Sequence, residues 1–167
     1  MNTWDNCKPV GQPVKVEQLT TAPGKFPKVW DENIVRLMGK IAIAFAQLEQ
    51  AVIVVAKRFD KENRLLREFA LTNENRSRHF NDWCKLLIKA FREHPEWRAA
   101  AETAKCLGRE RNALFHGNWN NHQYLLHLPK AGDARLIPLD PSYFEDLVGR
   151  ICSTRNELLR ARPPKRT

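Results

Sequence analysis

One stretch of this sequence gathers residue types that can do chemistry together: Arg109-Glu110-Arg111-Asn112-Ala113-Leu114-Phe115-His116-Gly117. On an α-helix successive side chains step by about 100°. Asn112 and His116, at i and i+4, therefore share a face, and Arg109 joins the same stripe two turns earlier. Arg111 leaves the helix about 140° away from His116. Its long arm, or a loosened last turn near Gly117, is needed to bring guanidinium and imidazole together. An Arg forks onto phosphate oxygens and keeps its charge at every relevant pH. A His titrates near neutrality and can take or give a proton. The set is thus a candidate site for cleaving RNA without a metal. His116 assists attack by the ribose 2′-hydroxyl or protonates the leaving oxygen, and Arg111 stabilises the crowded phosphorane. One imidazole does not readily serve both sides of an in-line displacement. Two facing copies of the motif do, so the chemistry asks for a homodimer.

The rest of the sequence offers no rival chemistry. There is no glycine-rich phosphate loop, GxSxG, HExxH or EF-hand loop. Cys7, Cys84, Cys106 and Cys152 are far apart, with no CxxC and no Cys/His cluster at zinc spacing. No metal and no cofactor are therefore expected. His79, His94, His122 and His127 lack partner spacing and read as structural or exposed. The loose pattern of an Arg and a later His with four to six residues between them arises by chance, and both Arg109 and Arg111 satisfy it with His116. The stricter Arg-Asn-x-x-x-His-Gly closing a helix is much rarer. A His at a helix C-terminus also suits the helix dipole without any chemistry.

The elements that position this stretch are mostly helical. Asp31-Glu32 suits a helix start by capping and by the dipole. Ile34, Leu37, Ile41, Phe45, Leu48, Val52, Val55 and Phe59 then recur every three or four residues, the mark of one long amphipathic helix. Residues 60–74 read as a short charged helix with a loop around Thr72-Asn73-Glu74-Asn75. Phe80, Trp83, Leu87 and Phe91 mark a helix from about Arg76 to His94. Pro95 fits the first turn of the next helix, Gly108 costs up to ~1 kcal/mol inside it, and Gly117 stands where a C-terminal cap is expected. Residues His122–Leu128 and Ala134–Leu139, joined by Pro129-Lys130-Ala131-Gly132-Asp133, read as a two-stranded hairpin. Asp140 is the expected N-cap, and Pro141 the first residue, of a last helix that ends before Pro163. The sum is all-α: an antiparallel bundle of four to five helices with a small β-hairpin insertion near 122–139.

Length and charge bound the remainder. The 167 residues suit one domain, and 43% hydrophobic with 28% charged residues suit a globular chain with a core. Residues 1–30 hold Pro9, Pro13, Pro23 and Pro27 and read as an extended arm, lying against the body through Trp4, Phe26 or Trp30. The net charge is +9 with pI about 9.7, which suggests an acidic partner such as RNA. More than half of that excess lies in residues 150–167. In the tail, Arg160, Arg162, Lys165 and Arg166 are candidate RNA contacts beside the plainer reading of a solvated end. Residues 41–56 look membrane-like, but Gln47, Glu49 and Gln50 interrupt a run shorter than the ~20 residues a bilayer requires. With a polar N-terminus lacking a signal peptide's apolar stretch, the cysteines suggest free thiols and a cytoplasmic protein.

Arg111-Asn112-Ala113-Leu114-Phe115-His116-Gly117 resembles the R-N-x-x-x-H motif of HEPN domains (higher eukaryotes and prokaryotes nucleotide-binding). Trp119, two residues after Gly117, is similar to a subset that reads H-G-x-W before a hairpin, although a core anchor is the commoner use of such a Trp. Phe45-Ala46-Gln47-Leu48-Glu49 resembles the first helix of that subset. The resemblance covers about residues 31–161 and leaves the arm, 1–30, and the basic tail, 162–167, outside it. It implies a helical domain that dimerises with its motif helices facing. It also implies a metal-independent endoribonuclease of toxin–antitoxin, phage-defence or RNA-processing type, with an antitoxin as a candidate partner. By position, Arg111, Asn112 and His116 form the catalytic set, with Glu49 and Arg109 as helpers. Other HEPN domains are inactive binding or dimerisation modules, and the fold alone does not choose between these roles.

Overall fold

The computed structural model describes residues 7, 10–14, 32–59, 76–116, 118–119, 124–130, 133–138 and 140–162. These form an all-α helical bundle with a small antiparallel sheet. The helices are α1 (Glu32–Phe59), α2 (Arg76–Ala90), α3 (Pro95–His116) and α4 (Pro141–Arg160). The strands are β1 (Gln12–Val14), β2 (Asn118–Trp119), β3 (Tyr124–Lys130) and β4 (Asp133–Pro138), in the order β1-β4-β3-β2. The chain divides into two compact units. The first is Met1–Ile43 with Arg109–Gly149, and the second is Ala44–Gly108 with Arg150–Thr167.

The first unit holds the whole sheet. Its centre is the expected hairpin, with Leu125 opposite Ile137 and Leu126 opposite Leu136. The turn is tighter than the sequence suggests, because Pro129, Lys130 and Asp133 belong to the strands. The register shifts between His127 and Lys130. Pro129 lies in that irregular stretch, where a residue with no N–H to give the ladder is tolerated. Two edge strands flank the hairpin. Trp119 of β2 pairs with Leu125, and Pro13 of β1 pairs with Arg135. The Pro-rich arm is thus an edge strand at this point, the one sheet position that suits Pro13. Gly11 leads into it with φ +81°, and a Cβ there would sit 2.8 Å from the Leu136 carbonyl oxygen. Glycine alone meets both demands. Arg135 Nη1 donates to the Gly11 carbonyl at 3.1 Å, fixing the same junction from the side chain.

Helix α4 starts as its sequence demands. Asp140 accepts from the Ser142 N–H at 3.0 Å and from the Ser142 hydroxyl at 2.7 Å, which is N-capping with Pro141 at the first helical position. These two bonds hold the Asp140 carboxyl below its ordinary pKa. In this unit Ile34, Leu37, Ile41, Ala113, Leu114, Ile137, Phe144 and Leu147 are buried.

The second unit is built on rings. Phe45 meets Phe80 at 4.9 Å, Phe59 meets Phe91 edge-on at 4.9 Å, and Phe91 meets Trp97 at 5.7 Å. The three-and-four spacing of α1 places Leu48, Val52 and Val55 in the same buried set as Leu87 and Ile151. Gly108 has a packing reason, since a Cβ there would lie 2.7 Å from the Phe80 ring. The helix cost of that glycine is accepted for close approach. Cys84 is fully buried. Burial pushes its thiol well above the usual value, and the Lys105 ammonium only partly opposes this, so Cys84 is an unreactive thiol. Arg155 donates to Gln47, joining α4 to α1.

Several expectations change. Cys7 and Cys106 are disulfide-bonded, while Cys84 and Cys152 are free. Four free thiols is therefore corrected to two, because a disulfide needs spatial approach that separation along the chain does not reveal. Helix α2 ends at Ala90 rather than His94, where the chain turns ahead of Pro95. Helix α1 spans 28 residues and is long and apolar enough to cross a membrane by length and composition. The 41–56 run understated it, yet its stripe from Ile34 to Val55 is buried within the protein. The short helix expected over 60–74, the contacts of Trp4, Phe26 and Trp30, and the caps at Asp31 and Gly117 lie outside the described residues.

Candidate functional site

The last two turns of α3, Arg109–His116, belong to the first unit. Ala113 and Leu114 are buried and fix which face of the helix turns inward. Helical periodicity then directs Arg111 with Phe115, and Asn112 with His116, outward as two adjacent i,i+4 columns. Arg111 and Asn112 are half-buried, whereas Phe115 and His116 are exposed.

The columns are tied to each other and to the body. Arg111 Nη1 donates to Asn112 Oδ1 at 2.9 Å. The Arg111 guanidinium carbon lies 5.3 Å from the centroid of the Phe115 ring, within cation–π range. The Tyr143 hydroxyl, in the first turn of α4, donates to Glu110 Oε2 at 3.2 Å. This bond links the residue before Arg111 to a second helix and limits rotation of the motif turn. The His116 imidazole makes no hydrogen bond with the described residues. It sits in the last turn of α3, where a cationic imidazole is favoured by the helix dipole.

The structure therefore joins Arg111 to Asn112 and Phe115, and no side-chain hydrogen bond joins Arg111 or Asn112 to the His116 imidazole among the described residues. Two groups that serve one phosphate need no bond to each other. The anion is the common partner, and guanidinium and imidazole can both donate to it. Arg109 is half-buried and engaged with other groups. Glu49 belongs to the second unit, is half-buried on α1, and makes no hydrogen bond or ion pair among the described residues. Arg160 and Arg162 are exposed at and just beyond the end of α4, in that same unit. Lys165 and Arg166, and the side chain of Trp119, lie outside the described residues. No group of three His, Cys, Asp or Glu that could hold a metal ion occurs among the described residues.

Sequence reasoning missed Phe115, Glu110 and Tyr143. A signal existed for Phe115, because Arg111 and Phe115 stand at the spacing of a helical cation–π pair. None existed for Glu110 and Tyr143, which are 33 residues apart and meet only through the fold. No family model, no curated protein and no solved structure matches this chain.

Proposed function

We propose that this chain is a HEPN-like endoribonuclease that acts as a homodimer without a metal. The observation that carries this reading is the Arg111–Asn112 hydrogen bond at the end of α3, with His116 exposed one turn beyond Asn112. Asn112 holds the guanidinium in a defined orientation, which lets Arg111 meet a phosphate with less rotamer freedom to lose. His116 is exposed and therefore reachable by a polynucleotide.

The ribose 2′-hydroxyl attacks the adjacent phosphorus, losing its proton to a base, while Arg111 neutralises charge on the non-bridging oxygens. The bond from phosphorus to the 5′-oxygen then breaks, and that oxygen takes a proton. The products are a 2′,3′-cyclic phosphate and a 5′-hydroxyl, and no water is consumed. The imidazoles of two facing His116 residues divide the two proton transfers. Exposed Arg160 and Arg162, with Lys165 and Arg166 of the tail, add sequence-independent attraction for the RNA backbone. A cytoplasmic role in toxin–antitoxin or phage-defence systems, with an antitoxin as partner, belongs to the same proposal. That Cys7 and Cys106 are each disulfide-bonded weighs against a strongly reducing compartment.

A second reading has one observation in its favour. The Arg111 guanidinium is held by Asn112 and Phe115, an arrangement that also suits a non-catalytic module binding RNA or a protein. Incubation with total RNA in EDTA separates the two. The nuclease releases fragments with cyclic-phosphate ends, and an oligonucleotide with a 2′-deoxy sugar at the cleaved position resists. Intact RNA after prolonged incubation overturns the nuclease in favour of the module.

A further inference from the structure

Phe115 is 38% exposed, and the other large apolar residues at least as exposed among the described residues, Val35, Ile43 and Leu159, are all aliphatic. A single exposed apolar residue is unremarkable in itself. This one is flat, precedes His116 directly, and carries the Arg111 guanidinium 5.3 Å from its centroid. The two outward columns of the motif turn thus differ in chemistry. Asn112 and His116 present hydrogen-bonding groups, while Phe115 presents a π-face beside the planar cation of Arg111. The Arg111–Asn112 bond joins the columns.

A nucleotide has the same division, with a charged phosphate and a flat base on one sugar. Unpaired bases stack on aromatic rings and on guanidinium planes, and every base has a π-face, so such contacts tolerate sequence. Bases within a duplex are stacked on one another and unavailable. From this pairing of columns, we propose that Phe115, backed by Arg111, is the stacking platform for the unpaired base beside the phosphate that Arg111 and His116 contact. The site thereby selects single-stranded RNA. This rests on the reading of the motif as an RNA site, but it concerns binding rather than the cleavage step.

The test is made on full-length protein carrying His116→Ala, so that RNA stays intact, with fluorescence anisotropy on a single-stranded oligouridine and on an RNA duplex of equal length. Phe115→Leu keeps the apolar bulk and removes the π-face, and Phe115→Trp enlarges it. Loss of one stacked base weakens binding by about 5- to 150-fold. Phe115→Leu is expected to weaken oligouridine binding on that scale, Phe115→Trp to restore it, and duplex binding to stay unchanged for both. Equal oligouridine affinity of Phe115→Leu and its parent overturns the platform. So does an equal loss on the duplex, which indicates a general disturbance of the surface. Dissociation of a dimer by Phe115→Leu, read by light scattering on the same samples, overturns it in favour of a protein contact. The nuclease reading fails separately. If protein with His116 intact leaves RNA uncut while Phe115→Leu still loses single-strand affinity, the platform stands and the catalyst falls. Cleavage by the intact protein, with affinity indifferent to Phe115, gives the reverse result.

Discussion

In the second unit Phe45, Phe59, Phe80, Phe91 and Trp97 meet ring to ring. In the first, the ring of Phe115 meets a guanidinium and solvent. The same chemical group thus serves two ends. Buried among rings, it contributes area removed from water and edge-to-face geometry. At the end of α3 it adds little to folding and is available to a partner. Cys84 and His116 repeat the contrast, since burial makes the thiol unreactive, whereas exposure leaves the imidazole accessible. Reactive groups belong where the helix runs out of core, and α3 runs out of core after Ala113 and Leu114.

Cutting both rings down to alanine tests that division. Phe91 is fully buried, so Phe91→Ala should cost about 3–5 kcal/mol in urea unfolding. Phe115→Ala, a surface change, should stay within about 0.5 kcal/mol. Similar losses at both sites would erase the distinction. A smaller effect is expected in the first unit at Gly11→Ala. A side chain at φ +81° with its Cβ against the Leu136 carbonyl costs roughly 1–2 kcal/mol. The amides of Gln12 and Val14 should then exchange faster while those of α2 keep their protection. Tyr143→Phe removes the hydroxyl that donates to Glu110. It should cost about 0.5–1.5 kcal/mol and leave the ring cluster of the second unit unaffected, as read by near-ultraviolet circular dichroism. The mildest effect is at Asp140, whose folded carboxyl titrates below its ordinary value because Ser142 donates to it. Its contribution is fully present above the unfolded value and disappears as pH falls through the lowered folded one. The difference in urea midpoint between the parent and Asp140→Ala should therefore shrink on acidification below about pH 4. A constant difference would remove the carboxylate from the cap.

Local signals were legible and non-local ones were not. The apolar spacing of α1, Pro95 at the start of α3, and Asp140-Pro141 at the start of α4 act within a few residues, so sequence reading reaches them. The hairpin was legible for the same reason, through two apolar runs about one turn. Its edge strands were not, because β1 pairs Gln12 with Leu136 across most of the chain, and no pattern in either segment names the other. The bonded state of Cys7 and Cys106 and the packing of Gly108 on Phe80 likewise depend on approach in space. Within the motif, the Asn112–His116 column follows from helical spacing. The Arg111–Asn112 bond does not, because it joins neighbours that leave the helix about 100° apart and meet through the reach of the arginine.

The most direct measurement is the cleavage rate of a single-stranded RNA in EDTA, comparing the protein with its His116→Ala variant at equal concentration and with matched melting temperatures. Removing a general acid–base group should slow cleavage by about 10²- to 10⁴-fold, with the melting temperature unchanged because the His116 side chain is exposed. Equal rates for the two proteins would contradict the account, leaving the end of α3 as a surface that binds and does not cut.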